Sequence, residues 1–485
     1  MNRHLKTIIA LVVVANIAVL ALILLRDTGD TPRRDLGEAL TPLVADPTME
    51  SARFELDPEL NLIVISLDAL RGDRVGPGPD GRSNTPNLDA FAQEAIAFTQ
   101  VTSASSWTLP SHMSIWTARW PSVHGVTNKF KLLGNDQMAE TQLSPGIETF
   151  PALLARRGWT AAAFTGGAGM SGRFGFDRGF GTYVDDRAFA GLDYSAPQAV
   201  RWLREHRDER LFLYLHGYDS HGQYPVPQGT IDSVPYEGSL DGSIEENARL
   251  REAGLGAIAQ PGQAADLTGT LGEDDARFLS ELYDRRVRAA DERLGTFLSE
   301  VRAMGLLDKS IVVVISDHGD EFMERSAIDH GHTLYEEQIH TLLMMRLPGY
   351  TAKREIDAVV RSLDLFPTIF DLLGQSGPEG VDGTSLVPLL RGEDLPLTAF
   401  AETDYRLFVH HRAIRQGQYK LILDLMDGGR ELYDLSADPG ETRDISGSEP
   451  RRTYELEQAL RAWMMGHGHN PEDYRGIEHT PITVF

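Results

Sequence analysis

With 485 residues, 41% hydrophobic, 8% aromatic and 24% charged, the chain has the make-up of a globular protein with a large core, which excludes a disordered tail or a collagen-like fibre. Its 71 acidic and 46 basic side chains give a formal charge of −25, the wrong sign for neutralising nucleic-acid phosphates, so no nucleic-acid partner is expected. The absence of cysteine excludes disulfides, thiolate metal sites and any cofactor made from a cysteine.

The run Thr7 to Leu25 carries no charge. As a helix it is about 28 Å long, close to the roughly 30 Å hydrocarbon core, and it predicts an N-terminal transmembrane helix. No small-x-small cleavage site follows, so an uncleaved anchor over 1–26 is expected rather than a signal peptide. Arg3 and Lys6 precede the run and Arg26, Arg33 and Arg34 follow it, so charge does not fix its orientation. A polar stem over 27–60 leads to the first strand.

Three apolar runs come next in the argument. LNLIVISL (60–67) ends at Asp68, LFLYL (211–215) runs into His216, Asp219 and His221, and SIVVVIS (310–316) runs into Asp317 and His318. Continuous β-branched runs of this length predict strands buried on both faces of a parallel sheet. Between the last two, Asp275 to Met304 keeps Leu279, Leu282, Tyr283, Val287, Leu294, Leu298 and Val301 on one helical face. The alternation predicts an α/β fold with a doubly wound, mostly parallel sheet flanked by helices. In such sheets the carboxyl ends of the strands share one crevice, which brings these Asp and His residues together as oxygen and imidazole ligands for a divalent metal. Singly, each is equally well read as a helix cap or a hydrogen-bonded core residue.

Between the first two of these strands lies Ser105-Ser-Trp-Thr108-Leu-Pro110-Ser111-His112. Pro110 suits a first helical turn and Thr108 its mouth, where free N–H groups attract anions. Tyr224 to Gly272 is polar and aperiodic, reading either as a lid or as a surface insertion. From about Ser376 short strands such as Tyr419–Leu425 precede a helix near Tyr454–Met464, predicting a catalytic domain over 61–375 and a smaller α+β subdomain over 376–485.

Several segments resemble the sulfatases and related members of the alkaline phosphatase superfamily. NLIVISLDALRGDRVG (61–76), TPNLDAFAQEAIAFTQ (85–100), TLPSHMSIWTARWPSVHG (108–125), VVVISDHGDEF (312–322), DHGHTLYEE (329–337), SLDLFPTIFDLLG (362–374), DGTSLVPLLRG (382–392) and ELYDLSADPGET (431–442) match that family's motifs in order. The resemblance implies Asp68, Thr108, Asp317 and His318 as metal ligands, with Thr108 also the nucleophile. It implies His221 as the contact to the ester oxygens or leaving group, and His216 with His330 or His332 as further substrate contacts. His330 and His332 stand near the family's substrate-binding Lys.

The chain departs from the family in three places. Thr108 stands where sulfatases carry the Cys or Ser that becomes formylglycine, so no formylglycine is expected. Asp68-Ala69 replaces a paired Asp-Asp, and Phe164 to Gly169 replaces an element that supplies Lys and His. Asp73, Lys129, His112 and His221 are the available substitutes for the missing acid. A threonine nucleophile resembles the superfamily's phosphodiesterases and phosphonate hydrolases.

The leading expectation is therefore a membrane-anchored, metal-dependent hydrolase or transferase of phosphate esters acting through Thr108. A sulfatase working without formylglycine and a non-catalytic anchored binding protein are the alternatives. Zn²⁺ or Mn²⁺ suits the oxygen and imidazole set, Ca²⁺ or Mg²⁺ being possible. A second ion is conceivable from His216, Asp219, His221 and His330 or His332. The substrate is expected to be a small or lipid- or glycan-linked phosphate or sulfate ester, met on the extracytoplasmic side of the membrane.

Overall fold

The computed structural model describes residues 59–474 apart from 79–80, 133–136, 260–270, 326 and 351, together with Leu56. The expected anchor and most of the stem lie outside the described residues. Among the described residues no helix is long and apolar enough to cross a membrane.

Eight strands form the central sheet: β1 (Asn61–Leu67), β2 (Ile96–Thr102), β3 (Thr160–Phe164), β4 (Thr182–Val184), β5 (Leu211–Gly217), β6 (Ser310–Ile315), β7 (His340–Arg346) and β8 (Arg354–Arg361). Their order is β8-β2-β7-β6-β1-β5-β3-β4. Strand β1 pairs in parallel with β5 and β6, and β3 in parallel with β4 and β5. Strand β7 runs antiparallel to both β2 and β6, so the sheet is mixed around one reversed strand. The apolar runs already showed why the centre holds. Leu62, Val64, Phe212, Tyr214, Val313 and Ile315 point into one core, and Ile63, Ile65, Leu67, Leu213, Leu215 and Val314 into the other. A fully buried Val, Leu or Ile contributes roughly 1.5–3 kcal/mol, so a strand buried on both faces is fixed in register by its own side chains.

Helix α1 (Thr108–Thr117) covers the first face. Helices α2 (Leu192–His206) and α4 (Glu273–Ala303) cover the second. Of the stripe expected on α4, Leu298 is only partly buried, and Phe297 takes its place in the core. Within the polar stretch after Tyr224 the chain forms helix α3 (Ile244–Ala259).

At the carboxyl-terminal end four antiparallel strands, β9 (Thr398–Thr403), β10 (His411–Gln416), β11 (Tyr419–Asp424) and β12 (Arg430–Asp434), form a second sheet. Helix α5 (Pro450–Gly466) covers it through Leu456, Leu460 and Met464.

Candidate active site

Strands β1, β5 and β6 are neighbours, so the residues at their carboxyl ends meet. Asp68, His216, Asp317 and His318 are all completely buried there. Helix α1 delivers Thr108 to the same place, and its Ser111 hydroxyl donates to the Asp317 carbonyl at 2.7 Å, tying the helix to the end of β6.

Each ligand candidate is oriented by its other atoms. His318 Nδ1 donates to the Gly319 carbonyl at 2.7 Å, which leaves the Nε2 lone pair free. The Thr108 hydroxyl lies 3.3 Å from that Nε2. The Ala69 amide donates to Asp317 Oδ1 at 3.1 Å, while Asp317 Oδ2 stands 3.4 Å from His318 Nε2. Asp68 Oδ2 meets His216 Nε2 at 3.1 Å, while Asp68 Oδ1 stands 3.8 Å from His318 Nε2. Asp68 Oδ1 is buried without a hydrogen-bond partner, and Asp317 Oδ2 makes no well-aligned hydrogen bond although His112 Nδ1 lies 3.2 Å away. Two carboxylate oxygens with spare acceptor capacity facing an imidazole lone pair are what a divalent cation would satisfy, so Asp68, Asp317 and His318 fit a metal, with Thr108 beside them. Burial and the neighbouring Asp317 push the Asp68 carboxyl well above its ordinary range. At Asp317 burial is outweighed by His318 and His112, which hold it below the usual range.

His112 and His216 support this floor without lining the cavity above it. The Gly166 amide donates to His216 Nδ1, so Nε2 carries the proton given to Asp68. Burial, with the neighbouring His112, lowers the His216 pKa to about 3, and the ring is neutral. His112 Nδ1 donates to the Thr108 carbonyl at 3.0 Å and Nε2 meets Ser66 Oγ at 3.0 Å, with the Asp317 carboxylate alongside. His112, expected as a possible leaving-group acid, and His216, expected as a substrate contact, are thus bonded to Thr108, Ser66 and Asp68 beneath the cavity. His332 is held by Glu321 at 3.0 Å and by Gln338, away from the cavity. Asp73 is paired with Arg71 and Arg74. Asp219 is occupied by Arg293 and the Leu192 amide, so the second-ion grouping built on it is not assembled.

The cavity above the floor encloses about 650 Å³. Thr108, Lys129, His221 and His330 line it, joined by residues that the sequence reading did not single out: Trp107, Tyr218, Phe189, Arg187, Arg251, Glu252, Tyr405 and Arg406. His221 Nδ1 accepts from the Gln223 amide at 3.0 Å, so its Nε2 carries the proton, and burial next to His330 keeps the ring neutral. His330 Nδ1 sits between Asp329 Oδ1 at 2.8 Å and Asp320 Oδ1 at 3.0 Å, leaving Nε2 as the uncommitted nitrogen. Burial opposes charging His330, but Asp329 and Asp320 outweigh it and raise its pKa. Its ring lies 4.3 Å from that of His318 and 4.7 Å from that of His221, centroid to centroid. The nearest available signal for the acidic pair was the DHGH run, read for its histidines alone.

These features define a class. The chain belongs to the sulfatase family of the alkaline phosphatase superfamily: the Sulfatase family model matches residues 60–375, and the model of the N-sulphoglucosamine sulphohydrolase C-terminal region matches 327–466. It is a sulfatase-family ester hydrolase. Mouse arylsulfatase K is 23% identical over 476 residues, covering 87% of this chain and 83% of the relative. An ulvan-active sulfatase of Formosa agariphila is 24% identical, covering 82% and 79% respectively. In structure the chain is similar to the phosphonate monoester hydrolase of Agrobacterium radiobacter, with a TM-score of 0.65 at 19% identity over 84% of this chain and 96% of that one.

Proposed function

We propose that the protein is a metal-dependent hydrolase of sulfuric esters that uses the hydroxyl of Thr108 in place of a formylglycine. The observation that carries this reading is the pair of buried oxygens of Asp68 and Asp317 facing His318 beside the Thr108 hydroxyl. The relatives matched over most of the chain favour sulfate over the phosphate esters expected from the threonine alone.

A divalent cation held by Asp68, Asp317 and His318 supplies Lewis-acid stabilisation of the ester oxygens and acidifies a nearby hydroxyl. The first turn of α1 adds free backbone N–H groups on the side where charge develops. Thr108 Oγ1, its proton released to solvent, forms a bond to sulfur as the bond from sulfur to the leaving oxygen breaks. His330 Nε2–H gives its proton to that oxygen while Asp320 and Asp329 hold Nδ1–H in place. His221 donates from Nε2 as a neutral ring and orients a sulfate oxygen. Water then attacks the sulfur of the threonine ester, giving one proton to His330 Nε2 and the other to Thr108 Oγ1, which leaves as the free hydroxyl with sulfate as the product. Zn²⁺ or Mn²⁺ suits the donor set better than Ca²⁺.

A phosphate or phosphonate ester is the second reading, favoured by Thr108, whose methyl-bearing carbon cannot follow formylglycine chemistry. Intact-mass measurement after quenching with aryl sulfates or aryl phosphates separates the two. A sulfate-mass adduct abolished in Thr108→Ala supports the first, a phosphate-mass adduct the second, and no turnover of either class overturns both. We further propose, from the run Thr7 to Leu25, a single-pass anchor; full-length protein that stays in the supernatant of fractionated cells would refute it.

A further inference from the structure

The carboxyl-terminal sheet reaches the floor of the cavity through one buried charge. Lys420 on β11 is completely buried, and its Nζ lies 2.9 Å from Glu336 Oε1 and 2.9 Å from Glu441 Oε1. Arg415 on β10 adds a 3.3 Å contact to Glu336 Oε2. Glu441, in the loop after β12, accepts from the Glu336 amide with its other oxygen at 2.7 Å and sits at φ 50°, a backbone that glutamate rarely adopts. Buried ion pairs add little stability over apolar packing of the same volume, but a displaced partner leaves a charge stranded, so they tolerate one placement only. Two strands and a loop thus converge on the short turn Glu336–Ile339.

The same turn holds the two segments that carry the reacting histidines. The Gln338 carbonyl accepts from the Gly319 amide at 2.8 Å, and Gly319 supplies the carbonyl that orients His318. Gln338 Oε1 accepts from the Gly331 amide at 3.0 Å, next to His330. The Ile339 carbonyl accepts from the Ser103 amide at 2.8 Å, and the Ser103 hydroxyl donates to the Asp317 carbonyl. The packing is close: a Cβ on Gly319 would lie 2.1 Å from the Glu337 carbonyl oxygen, so drift of the turn is felt at the residue next to His318.

We infer that Lys420, Glu336 and Glu441 form a clasp through which the carboxyl-terminal sheet positions His318 and His330. Lys420 is a positioning residue that acts through the turn and itself stands outside the cavity. The clasp responds to pH. Burial, with the neighbouring Glu336, pushes the Glu441 carboxyl up to about 7 against the pull of Lys420. Glu441 also faces Arg325 and Tyr433, while at Glu336 burial is outweighed by Lys420 and Arg415, with His340 nearby, which hold that carboxyl below the usual range. An acid whose pKa is higher in the closed clasp than in the open one favours closure when protonated, so this contribution is fully present below about 4.5 and is lost as pH rises through about 7. The clasp deepens the hydrolase reading and rests on it for its purpose, but it is measurable without turnover.

Hydrogen exchange of the full chain, read by mass spectrometry on peptides spanning Gly319 and Gly331, tests it. Lys420→Met strands the two carboxylates, and exchange in both peptides should rise by about tenfold or more while β1 stays within about twofold. Acceleration confined to β10, β11 and the Glu441 loop would show that Lys420 serves its own sheet alone, and overturns the proposal. Glu441→Gln, nearly isosteric, decides the matter if Lys420→Met fails to fold. After correction for intrinsic rates, lowering the pH from about 8.5 to about 5.5 should protect both peptides about tenfold more in the unmodified protein than in Glu441→Gln. Equal protection in the two proteins overturns the clasp. Esters left uncleaved by a protein that passes the exchange tests would refute the hydrolase reading alone.

Discussion

The floor of the cavity comes from the ends of strands buried on both faces, whereas its rim comes from a helix in a polar insertion and from a turn of the carboxyl-terminal sheet. Floor residues such as Asp68, Asp317 and His318 are completely buried, and their partners are fixed by backbone groups of the sheet. Rim residues such as Arg251 and Arg406 are held by a few polar contacts between segments remote in sequence. Groups that need a fixed geometry are therefore best placed at the strand ends, whereas the rim is built from residues that can change without disturbing the core.

The comparison breaks most readily at the nucleophile. Thr108→Ala should lower kcat by about 10³-fold or more without shifting the thermal midpoint by more than a few degrees. An activity within tenfold of the unmodified enzyme would show that attack comes from elsewhere. Nearly as large, Trp116→Ala should cost about 3–5 kcal/mol in chemical denaturation, because this ring is completely buried and packs on Tyr214 of β5 with centroids 4.2 Å apart. A loss below 1 kcal/mol would mean that the floor is not stiffened by the core beneath it.

His330→Gln should lower kcat/KM about 10²-fold for phenyl sulfate but less than tenfold for a nitrophenyl sulfate, whose leaving group needs no proton. Equal losses would remove His330 from acid catalysis. On the rim, Arg406→Gln frees Glu252 and should raise KM about tenfold for an anionic sugar sulfate with kcat within threefold; a matching fall in kcat would place Arg406 in the chemistry.

An effect confined to acid pH concerns His124. It accepts from the Val126 amide at 3.1 Å and contacts Ser114 Oγ at 3.1 Å, and burial lowers its pKa to about 3. The folded state keeps it neutral while the unfolded chain binds a proton below about pH 6.5, so its stabilisation is present above that pH and declines as pH falls toward 3. The slope is up to about 1.4 kcal/mol per pH unit, measured as denaturation midpoints in the unmodified protein and His124→Gln. Parallel curves would refute it.

What was legible in the sequence divides along the same line. Asp68, Asp317 and His318 could be found because a strand buried on both faces is a continuous apolar run, and its end is visible. The reversed strand of the central sheet, β7, was not, because HTLLMMR is as apolar as its parallel neighbours and periodicity carries no direction. Glu252 and Arg406 were invisible for another reason: α3 lies in a segment without helical periodicity, and Arg406 acquires its role only when a turn far along the chain folds back onto Asn128. That His112 and His216 lie beneath the cavity was not legible either, since sequence spacing does not tell which side of a carboxylate an imidazole approaches.

A methyl group on Gly169 would sit 3.0 Å from both Cβ and Cγ2 of Thr108. The two positions are therefore sterically married. Exchanging this threonine for serine would leave a small void beside Gly169, and enlarging the glycine would press on the carbon that carries the hydroxyl, so the glycine sets how the nucleophile is seated.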